Sequence, residues 1–520
     1  MNISPSRGAR RRAPSRSARR AWRHCGATAA AVLCLAACAV GPDYRKPPVQ
    51  VPESFKEGAD WQRAQANPQG AISSTWWLEY HDDELRHLVD QALRANQSIV
   101  AAEANYHLAQ ATVAANVASL YPTVGAGISG TRSGTGPGAA TSGTTSGIQG
   151  SVSADVTASW EPDLWGQIRR QIESSKASAQ GSDAQLAGER LSIAASVAND
   201  YFELRQADID IDFLQRQQQI DARILEMTQA SFAQGASSND DVLAAQDTLE
   251  VVIADLQSTQ TSREQDEHAI AVLIGVPPGS FSIAPQRGYA FAAPAVPLTL
   301  PSQLLERRYD VVNAERTAAS ANAKIGVAKA ACFPTLDLSA EGGFQHNSLT
   351  NLFSLPNRFW TLGPSLAGTI FDGGARSAAV SEARATYDAD VANYRQTVLT
   401  ALQSVEDSLS SWNHLQQQAQ AYANIEQRNQ KLFDSAQAQW VVGTASEQNL
   451  LTQQLTLLQA EQNLKDTQAL LTQSSVSLIK NLGGGWQWDA AKGDAAQSLA
   501  DSTPAQQRTA ASSTSAASAQ

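Results

Sequence analysis

The sequence predicts a mainly α-helical protein with a β-barrel part, and three observations support this fold class. Two very long segments, 167–232 and 375–440, contain no proline and suit long helices. Four shorter segments alternate apolar and polar residues, which is the period of a β-strand. Both kinds of segment occur twice in the same order, so the protomer is a tandem duplication.

The duplication is recognised by one constant offset that three pairs of glycines share. The pairs are Gly166 with Gly374, Gly235 with Gly443, and Gly275 with Gly483. One pair arises easily by chance, whereas three pairs at one offset indicate a repeat. The predicted divisions are a signal segment (1–37), a lipidated tether and equatorial belt (38–83), a first repeat (84–283), a linker (284–301), a second repeat (302–485) and a low-complexity tail (486–520). Within the repeats the prediction is β-hairpins at 123–160 and 335–370, long helices at 167–232 and 375–440, tips at 233–237 and 441–445, and return helices at 238–274 and 446–482.

The first 37 residues predict an export signal. Residues 1–23 carry eight arginines and no acid, and the apolar stretch 26–37 is too short to span a bilayer. Leu35-Ala36-Ala37-Cys38 resembles the processing box of bacterial lipoproteins, which implies that Cys38 carries lipid. Ala39 is the residue that this resemblance expects of a lipoprotein sent to the outer membrane. The alternative is a cleavable signal in which Cys38 is an incidental apolar residue.

Charge and cysteine content argue against a nucleic-acid-binding protein and against a fold held by disulfides. Removal of the signal takes eight positive charges from a net charge of −11 and leaves −19, which argues against nucleic acid as a partner. Only Cys38 and Cys332 then remain, so a lipidated Cys38 leaves no disulfide to form.

The segment before the first hairpin predicts a tether followed by short helices. Residues 39–80 are rich in proline and aromatic residues and have no sustained period, so we expect an extended tether. Helical spacing begins near Glu84, weakens near Asn96 and resumes at 98–120, where Pro122 ends it.

Each short helical region leads into a pair of amphipathic strands. In 148–160 the even positions are apolar or aromatic and the odd positions are polar, while 123–131 alternates in the same way with smaller residues. Residues 132–147 between them predict a loop. The second copy repeats the alternation at 336–345 and 360–370.

Such strands are typical of a transmembrane β-barrel, although a soluble half-buried sheet shows the same alternation. The export signal and the aromatic residues near the strand ends favour the membrane. Pro364 lies within a strand and is expected to mark a bulge or bend. Four strands cannot close a membrane barrel, because the smallest have about eight and an open edge in lipid is prohibitive. The barrel must therefore be shared between chains, and closure alone permits a dimer or a trimer. The aromatic residues are Tyr121, Trp160, Trp165, Phe333, Phe344, Trp360 and Phe371.

The long helices predict a coiled-coil rod. Each would extend roughly 100 Å at about 1.5 Å per residue. In the second helix, apolar residues from Tyr387 to Tyr422 recur at alternating steps of three and four, as in a coiled-coil seam. The return helices span little more than half that length, so a return helix and the helix before each hairpin are expected to stack end to end.

The turn between each long helix and its return helix is a hairpin tip. Gly443 is the only glycine between Ala375 and Leu482, and it can adopt the left-handed conformation that ends a helix. Ser446 is a good N-cap for the returning helix. Gly235 and Ser238 have the same roles in the first copy.

The motifs together resemble the TolC-type outer-membrane efflux factors, and the start from Cys38 resembles their NodT/OprM-like lipoprotein branch. The resemblance covers roughly residues 38–488 and implies a homotrimer with a shared twelve-stranded barrel, a periplasmic α-barrel and an equatorial belt. It also implies two partners, a periplasmic membrane-fusion adaptor and an inner-membrane pump of the resistance-nodulation-division class. The motifs are Trp76-Trp77, Asp83-Glu84-Leu85, Tyr121-Pro122-Thr123, Phe333-Pro334-Thr335, 160–166, 371–374 and both tips.

The resemblance also assigns two sets of site residues. The adaptor-docking residues are Phe232, Gly235, Ala236, Trp440, Val442, Gly443 and Thr444. Relatives often narrow the periplasmic entrance with aspartates six and nine residues after the second tip glycine, where this chain has Asn449 and Thr452. Asp241 is the counterpart of Asn449 in the first copy. Asp241 either stabilises the start of its helix or supplies the negative ring of a gate.

No catalytic constellation or cofactor motif competes with this hypothesis. The histidines are scattered without the spacing of metal ligands, and Gly483-Gly484-Gly485 lacks the setting of a phosphate loop. The sequence therefore predicts a non-enzymatic exit channel for small molecules in the outer membrane. The alternatives are an outlet for type I protein secretion and a coiled-coil envelope protein without a pore.

Overall fold

The structure is a computed structural model that describes residues 39–52, 54–57, 73–135, 147–294, 296 and 308–486. The predicted signal segment, Cys38, most of the linker and the tail lie outside these residues. In chain order the helices are α1 (Asp83–Ala95), α2 (Gln97–Ala118), α3 (Gln167–Ala233), α4 (Asn239–Leu273), α5 (Tyr309–Ala330), α6 (Ala375–Val441) and α7 (Glu447–Asn481). The strands are β1 (Thr123–Thr135), β2 (Gly147–Trp160), β3 (Thr335–His346) and β4 (Arg358–Ala367), and short 3-10 helices lie at Trp76–Tyr80, Pro278–Ser280 and Leu355–Asn357. Among the described helices, none is long and apolar enough to cross a membrane.

The four strands form one antiparallel sheet in the order β1-β2-β3-β4. Odd positions pair with odd positions across all three ladders, as Asp155 pairs with Gly343 and Glu341 with Thr361. All the even positions therefore share one face, which carries the exposed apolar side chains Ile128, Val156 and Leu362. The period of two in the sequence thus gives one continuous apolar surface.

Two expectations about the strands are wrong. Residues 132–135 were expected in a loop but belong to β1, because they pair with the first residues of β2. Pro364 was expected to mark a bulge, but the register passes through it without interruption, with Pro364 opposite Leu338. In the single chain β4 pairs with β3 only, and a strand with one unpaired side can accommodate a residue that lacks a backbone N–H.

The chain divides into two compact units. The first contains the sheet with its adjoining helix ends and comprises the described residues of 1–46, 110–178 and 318–390. Two tryptophans of this unit are held by hydrogen bonds from their indole N–H groups. Trp160 Nε1 donates to the Leu120 carbonyl at 2.9 Å, and Trp165 Nε1 donates to the Pro334 carbonyl at 2.7 Å. The rings of Trp165 and Phe333 stack with centroids 4.8 Å apart.

The second unit comprises the described residues of 47–109, 179–317 and 391–520 and has an aromatic core. The expectation of an extended tether up to residue 80 is wrong at its end, because Trp76–Tyr80 is a 3-10 helix whose Trp76, Trp77 and Tyr80 are buried. The Tyr80 and Phe202 rings lie 5.2 Å apart, and Tyr80 Oη and Ser475 Oγ are 2.6 Å apart. Burial of the apolar area of these rings compensates for the conformational entropy that the segment loses when it is ordered.

Asp82 joins three parts of this second unit. Its Oδ1 accepts hydrogen bonds from the backbone N–H groups of Glu84 and Leu85 and so caps α1. Its Oδ2 accepts the hydroxyl protons of Tyr201 at 2.8 Å and Tyr289 at 3.0 Å. One carboxylate therefore fastens α1 to α3 and to the segment that follows α4.

The predicted seam of α6 is buried in its central part. Tyr394, Val398, Val405, Leu409 and Trp412 are buried. The positions toward the ends of the seam, Tyr387 and Tyr422, are only partly buried in the single chain. The long helices thus acquire their stability from packing of one apolar stripe rather than from helix propensity alone.

Candidate functional site: the hairpin tips and the return helices

The first tip closes with hydrogen bonds that depend on a left-handed glycine. Gly235 has φ +74°, and its N–H donates to the Phe232 carbonyl at 2.9 Å. The Ala236 N–H donates to the Ser231 carbonyl, also at 2.9 Å. This six-residue closure satisfies carbonyl groups that the end of α3 would otherwise leave without partners.

The second tip has the same geometry. Gly443 has φ +76°, its N–H donates to the Trp440 carbonyl at 3.0 Å, and the Thr444 N–H donates to the Gln439 carbonyl at 2.9 Å. Thr444 Oγ1 donates to that same carbonyl at 3.1 Å. A Cβ added to either tip glycine would meet no atom within 4 Å. The requirement for glycine is therefore conformational and does not come from crowding.

Both tips present apolar side chains to solvent. Phe232 is 45% exposed, Trp440 43% and Val442 72%. Ala236 and Thr444 are also exposed. These exposed apolar side chains are available for contact with another protein.

The return helices begin with caps whose chemistry differs between the two copies. In the first, the Ser238 N–H donates to Asp241 Oδ2 at 2.8 Å and Ser238 Oγ accepts from the Asp241 N–H at 3.2 Å, which forms a capping box. Hydrogen bonds to the carboxylate from the Ser238 N–H and, also at 2.8 Å, from the Ser238 hydroxyl lower the pKa of the Asp241 carboxyl below its usual value. In the second copy, Ser446 Oγ accepts from the Asn449 N–H at 3.2 Å. Asp241 and Asn449 thus occupy the same helical position, and both are exposed.

Thr452 lies one turn further along α7. Its Oγ1 donates to the Gln448 carbonyl at 2.8 Å, and the residue is exposed. Within the part of the chain that the structure describes, the Asp241 carboxylate bonds to Ser238 and makes no hydrogen bond with Asn449 or Thr452. The hydrogen bonds of the single chain therefore do not connect Asp241 with the other two candidate gate residues.

An ion pair near the second tip was not predicted from the sequence. Arg223 of α3 donates from Nε to Glu447 Oε1 at 2.8 Å and from Nη2 to Glu447 Oε2 at 3.1 Å. Hydrogen bonds from Arg223 lower the pKa of Glu447. The aligned residues in the other copy are Lys431 and Asn239, so the pair does not recur and the duplication gave no signal for it. The contact joins the long helix of one repeat to the return helix of the other.

Two carboxyl groups further along the same helix pair were also not predicted. Gln206 Nε2 donates to Asp466 Oδ1 and, at 3.2 Å, to Asp210 Oδ1, while Gln462 Nε2 donates to Asp210 Oδ1 at 3.2 Å. Burial, followed by the charge of Asp210, raises the pKa of Asp466 to about 7. Burial also raises the pKa of Asp200 and Asp266, each to about 6, with added repulsion from Glu203. The α3–α7 contact therefore contains a carboxyl group that titrates near neutrality.

The residues that follow Cys38 are fastened to the first unit. The Val40 N–H donates to the Trp165 carbonyl at 3.0 Å, and Asn322 Nδ2 donates to the Pro42 carbonyl at 3.0 Å. Asp43 accepts from Arg170 Nη2 at 2.8 Å. Residues 40–43 are therefore held near the junction of β2 and α3. Cys38 itself lies outside the described residues.

The sequence model of the outer membrane efflux protein family matches residues 88–276 and 300–484. The chain belongs to this family. Among related proteins, it is 29% identical to the probable efflux pump outer membrane protein TtgC of Pseudomonas putida, over 88% of this chain and 95% of that protein. It is 27% identical to nodulation protein T of Rhizobium leguminosarum, over 88% and 91%. The solved structure of the outer-membrane channel OprN is similar with a TM-score of 0.76 and 29% identity, over 87% of this chain and 100% of that one.

Membership of the family confirms the predicted fold class and function. This outer membrane efflux protein has the helical part and the strand part of a channel, and its relatives are efflux channels rather than enzymes. The family match begins at residue 88 and ends at 484, so it includes both tips and both return helices.

Proposed function

We propose that three copies of this efflux protein form a passive exit duct across the outer membrane, through which an inner-membrane pump expels drugs or other small molecules. The observation that carries the proposal is the sheet. Within the described residues, β1 and β4 each pair with one neighbour only, and the face with the even positions is exposed and apolar. Three copies supply twelve strands, which removes every open edge.

Channel recordings test this proposal directly. The purified full-length protein should migrate as a heat-sensitive trimer, give discrete conductance steps in planar bilayers, and restore drug resistance to a strain that lacks the gene. Trimers without conductance would support a coiled-coil protein without a pore. If the strain that lacks the gene fails to secrete a protein but has unchanged drug susceptibility, a type I secretion outlet would be supported instead.

The exposed tips are the proposed binding surface for the partner proteins. We assign the docking surface for a periplasmic membrane-fusion adaptor to Phe232 and Ala236 of the first tip and to Trp440, Val442 and Thr444 of the second, with Gly235 and Gly443 setting the backbone. Their exposure supports this assignment. The pump that the adaptor contacts would be of the resistance-nodulation-division class. Crosslinking in cells from a photoreactive residue at position 442 would identify the adaptor.

Lipid on Cys38 would add an anchor to the barrel. The support for this proposal is that residues 40–43, which follow Cys38 in the sequence, are attached to the end of the sheet from which α3 begins. Cys38→Ser should abolish labelling by a fatty-acid analogue while trimers remain in the membrane. Labelling that persists in Cys38→Ser would contradict the anchor.

The gate is assigned to the start of the return helices. We place Asp241, Asn449 and Thr452 at the periplasmic entrance, where three copies of Asp241 would form an acidic ring. The exposure of all three side chains supports the assignment. Part of the Asp241 carboxylate is engaged by Ser238, so its second oxygen would be the one that faces the lumen.

A further inference from the structure

The charged residues of the four strands are separated completely by face. The acids Asp155, Asp337 and Glu341 all occupy odd positions, which belong to the polar face. The basic residues Arg132, His346 and Arg358 all occupy even positions, which belong to the apolar face. A random distribution would mix the two signs on both faces.

The basic residues also share one end of the sheet. Arg132 lies three residues before the end of β1, His346 is the last residue of β3, and Arg358 is the first residue of β4. These positions lie at the end of the sheet opposite to the helices that enter β1 and leave β2. His346 is partly engaged, because its Nδ1 accepts from the Ser348 N–H at 3.2 Å.

The two arginines have exposed side chains and no protein partner in the part of the chain that the structure describes. They stand on the same face as Ile128 and Trp360, which are 78% and 77% exposed. A cation on the lipid face is costly at the middle of a bilayer and tolerated near the interface, where the side chain can extend to the headgroups. In a membrane-spanning sheet, their place at this end is therefore where the lipid face meets the outer headgroup layer.

We propose that Arg132 and Arg358 form a basic rim that binds the anionic, phosphate-bearing headgroups of the outer leaflet. The inference rests on the proposed function, since it needs the sheet to span the membrane. In a closed barrel, β4 of one protomer neighbours β1 of the next, so the two arginines fall on adjacent strands at each subunit boundary. A phosphate group at this boundary would pair with two guanidinium groups, whose planar arrangement of N–H donors matches the phosphate oxygens. The lipid would thereby bridge protomers.

The experiment compares lipid binding to the full-length trimer in detergent by native mass spectrometry. The probes are a diphosphorylated glycolipid and zwitterionic phosphatidylcholine, with inorganic phosphate as a competitor that has no acyl chains. The variant Arg132→Gln/Arg358→Gln should lower affinity for the phosphorylated lipid by roughly thirtyfold, since each of the two cations near a headgroup contributes about 1 kcal/mol. Binding of phosphatidylcholine should not change, and inorganic phosphate should compete only weakly.

A matched control removes the same charge elsewhere. Arg384→Gln/Arg395→Gln changes two exposed arginines of α6 and should leave lipid binding unchanged. Arg132→Lys/Arg358→Lys should retain part of the affinity, which shows that the rim acts through charge and not through folding of the strands. Equal binding by wild type and Arg132→Gln/Arg358→Gln, or equal losses in the control, would overturn the rim. Conductance of the same preparations reports separately on the proposed channel.

Discussion

At the scale of single residues, the tip glycines make a sharp prediction. Gly443→Val should distort the second tip, because a β-branched residue in the left-handed region costs roughly 1–2 kcal/mol. A Cβ at this position would meet no atom within 4 Å, so the expected cause is backbone conformation and not crowding at the Cβ. Drug resistance should fall several-fold while the amount of trimer stays the same. Gly443→Asn is the control, since asparagine tolerates this conformation; normal resistance with Gly443→Val would show that docking does not depend on the tip geometry.

Also at the residue scale, two roles of Asp241, as a helix cap and as part of a gate, can be distinguished by experiment. As part of a capping box with a lowered pKa, its carboxylate stabilises the helix at neutral pH and loses that effect only as the pH falls through the lowered value. As part of a gate, it should make the channel cation-selective. Asp241→Asn should weaken selectivity, measured as reversal potential in a salt gradient, and Asn449→Asp should strengthen it and lower resting conductance. Unchanged selectivity in both variants would leave Asp241 as a cap alone.

At the scale of elements, the contact between α3 and α7 predicts a pH dependence. The pKa of Asp466 rises from 3.8 to about 7 through burial and the nearby Asp210, so the folded protein favours the protonated carboxyl. Its contribution to the free energy of unfolding is complete below about pH 4 and is lost as the pH rises through 7. Asp200 and Asp266 contribute in the same direction up to about pH 6.

Asp466→Asn should remove the Asp466 part of this dependence. Thermal unfolding of the detergent-solubilised protein should show the variant gaining stability relative to wild type between about pH 4 and 7, with a constant difference above that range. Asp407→Asn removes an exposed carboxylate from α6 and serves as the control. A difference that stays flat across the whole range would contradict the shared burial of Asp210 and Asp466.

At the scale of the whole molecule, the two faces of the sheet should respond oppositely to charge. Leu362 is 73% exposed on the apolar face, and Thr361 beside it points to the other face. Leu362→Arg should cost about 2–4 kcal/mol if it lies near the middle of the bilayer and should reduce trimer in the outer-membrane fraction. Thr361→Arg should assemble normally and reduce cation selectivity. Equal assembly of the two variants would contradict a membrane-spanning sheet.

The elements that could be predicted from the sequence are those with a local cause. Strand alternation, the absence of proline in α3 and α6, and the glycines of the tips each act over a few neighbouring residues. The capping positions of Ser238 and Ser446 were predictable for the same reason. The turns and helix starts at the tips therefore have the backbone conformation expected from the sequence, while their role as a site stays a prediction.

Contacts between distant residues were decided only by the tertiary structure. The Arg223–Glu447 pair joins residues 224 positions apart, and Gln206 contacts Asp466 across 260 positions. The burial of Trp76 and the uninterrupted register at Pro364 likewise depend on what packs or pairs with them. By itself, the sequence determined the repeated helix–hairpin plan and the two faces of each strand, because periodicity and glycine act locally. The tertiary structure decided which charges meet and which carboxyl groups lose their water, because those energies depend on partners that no local pattern specifies.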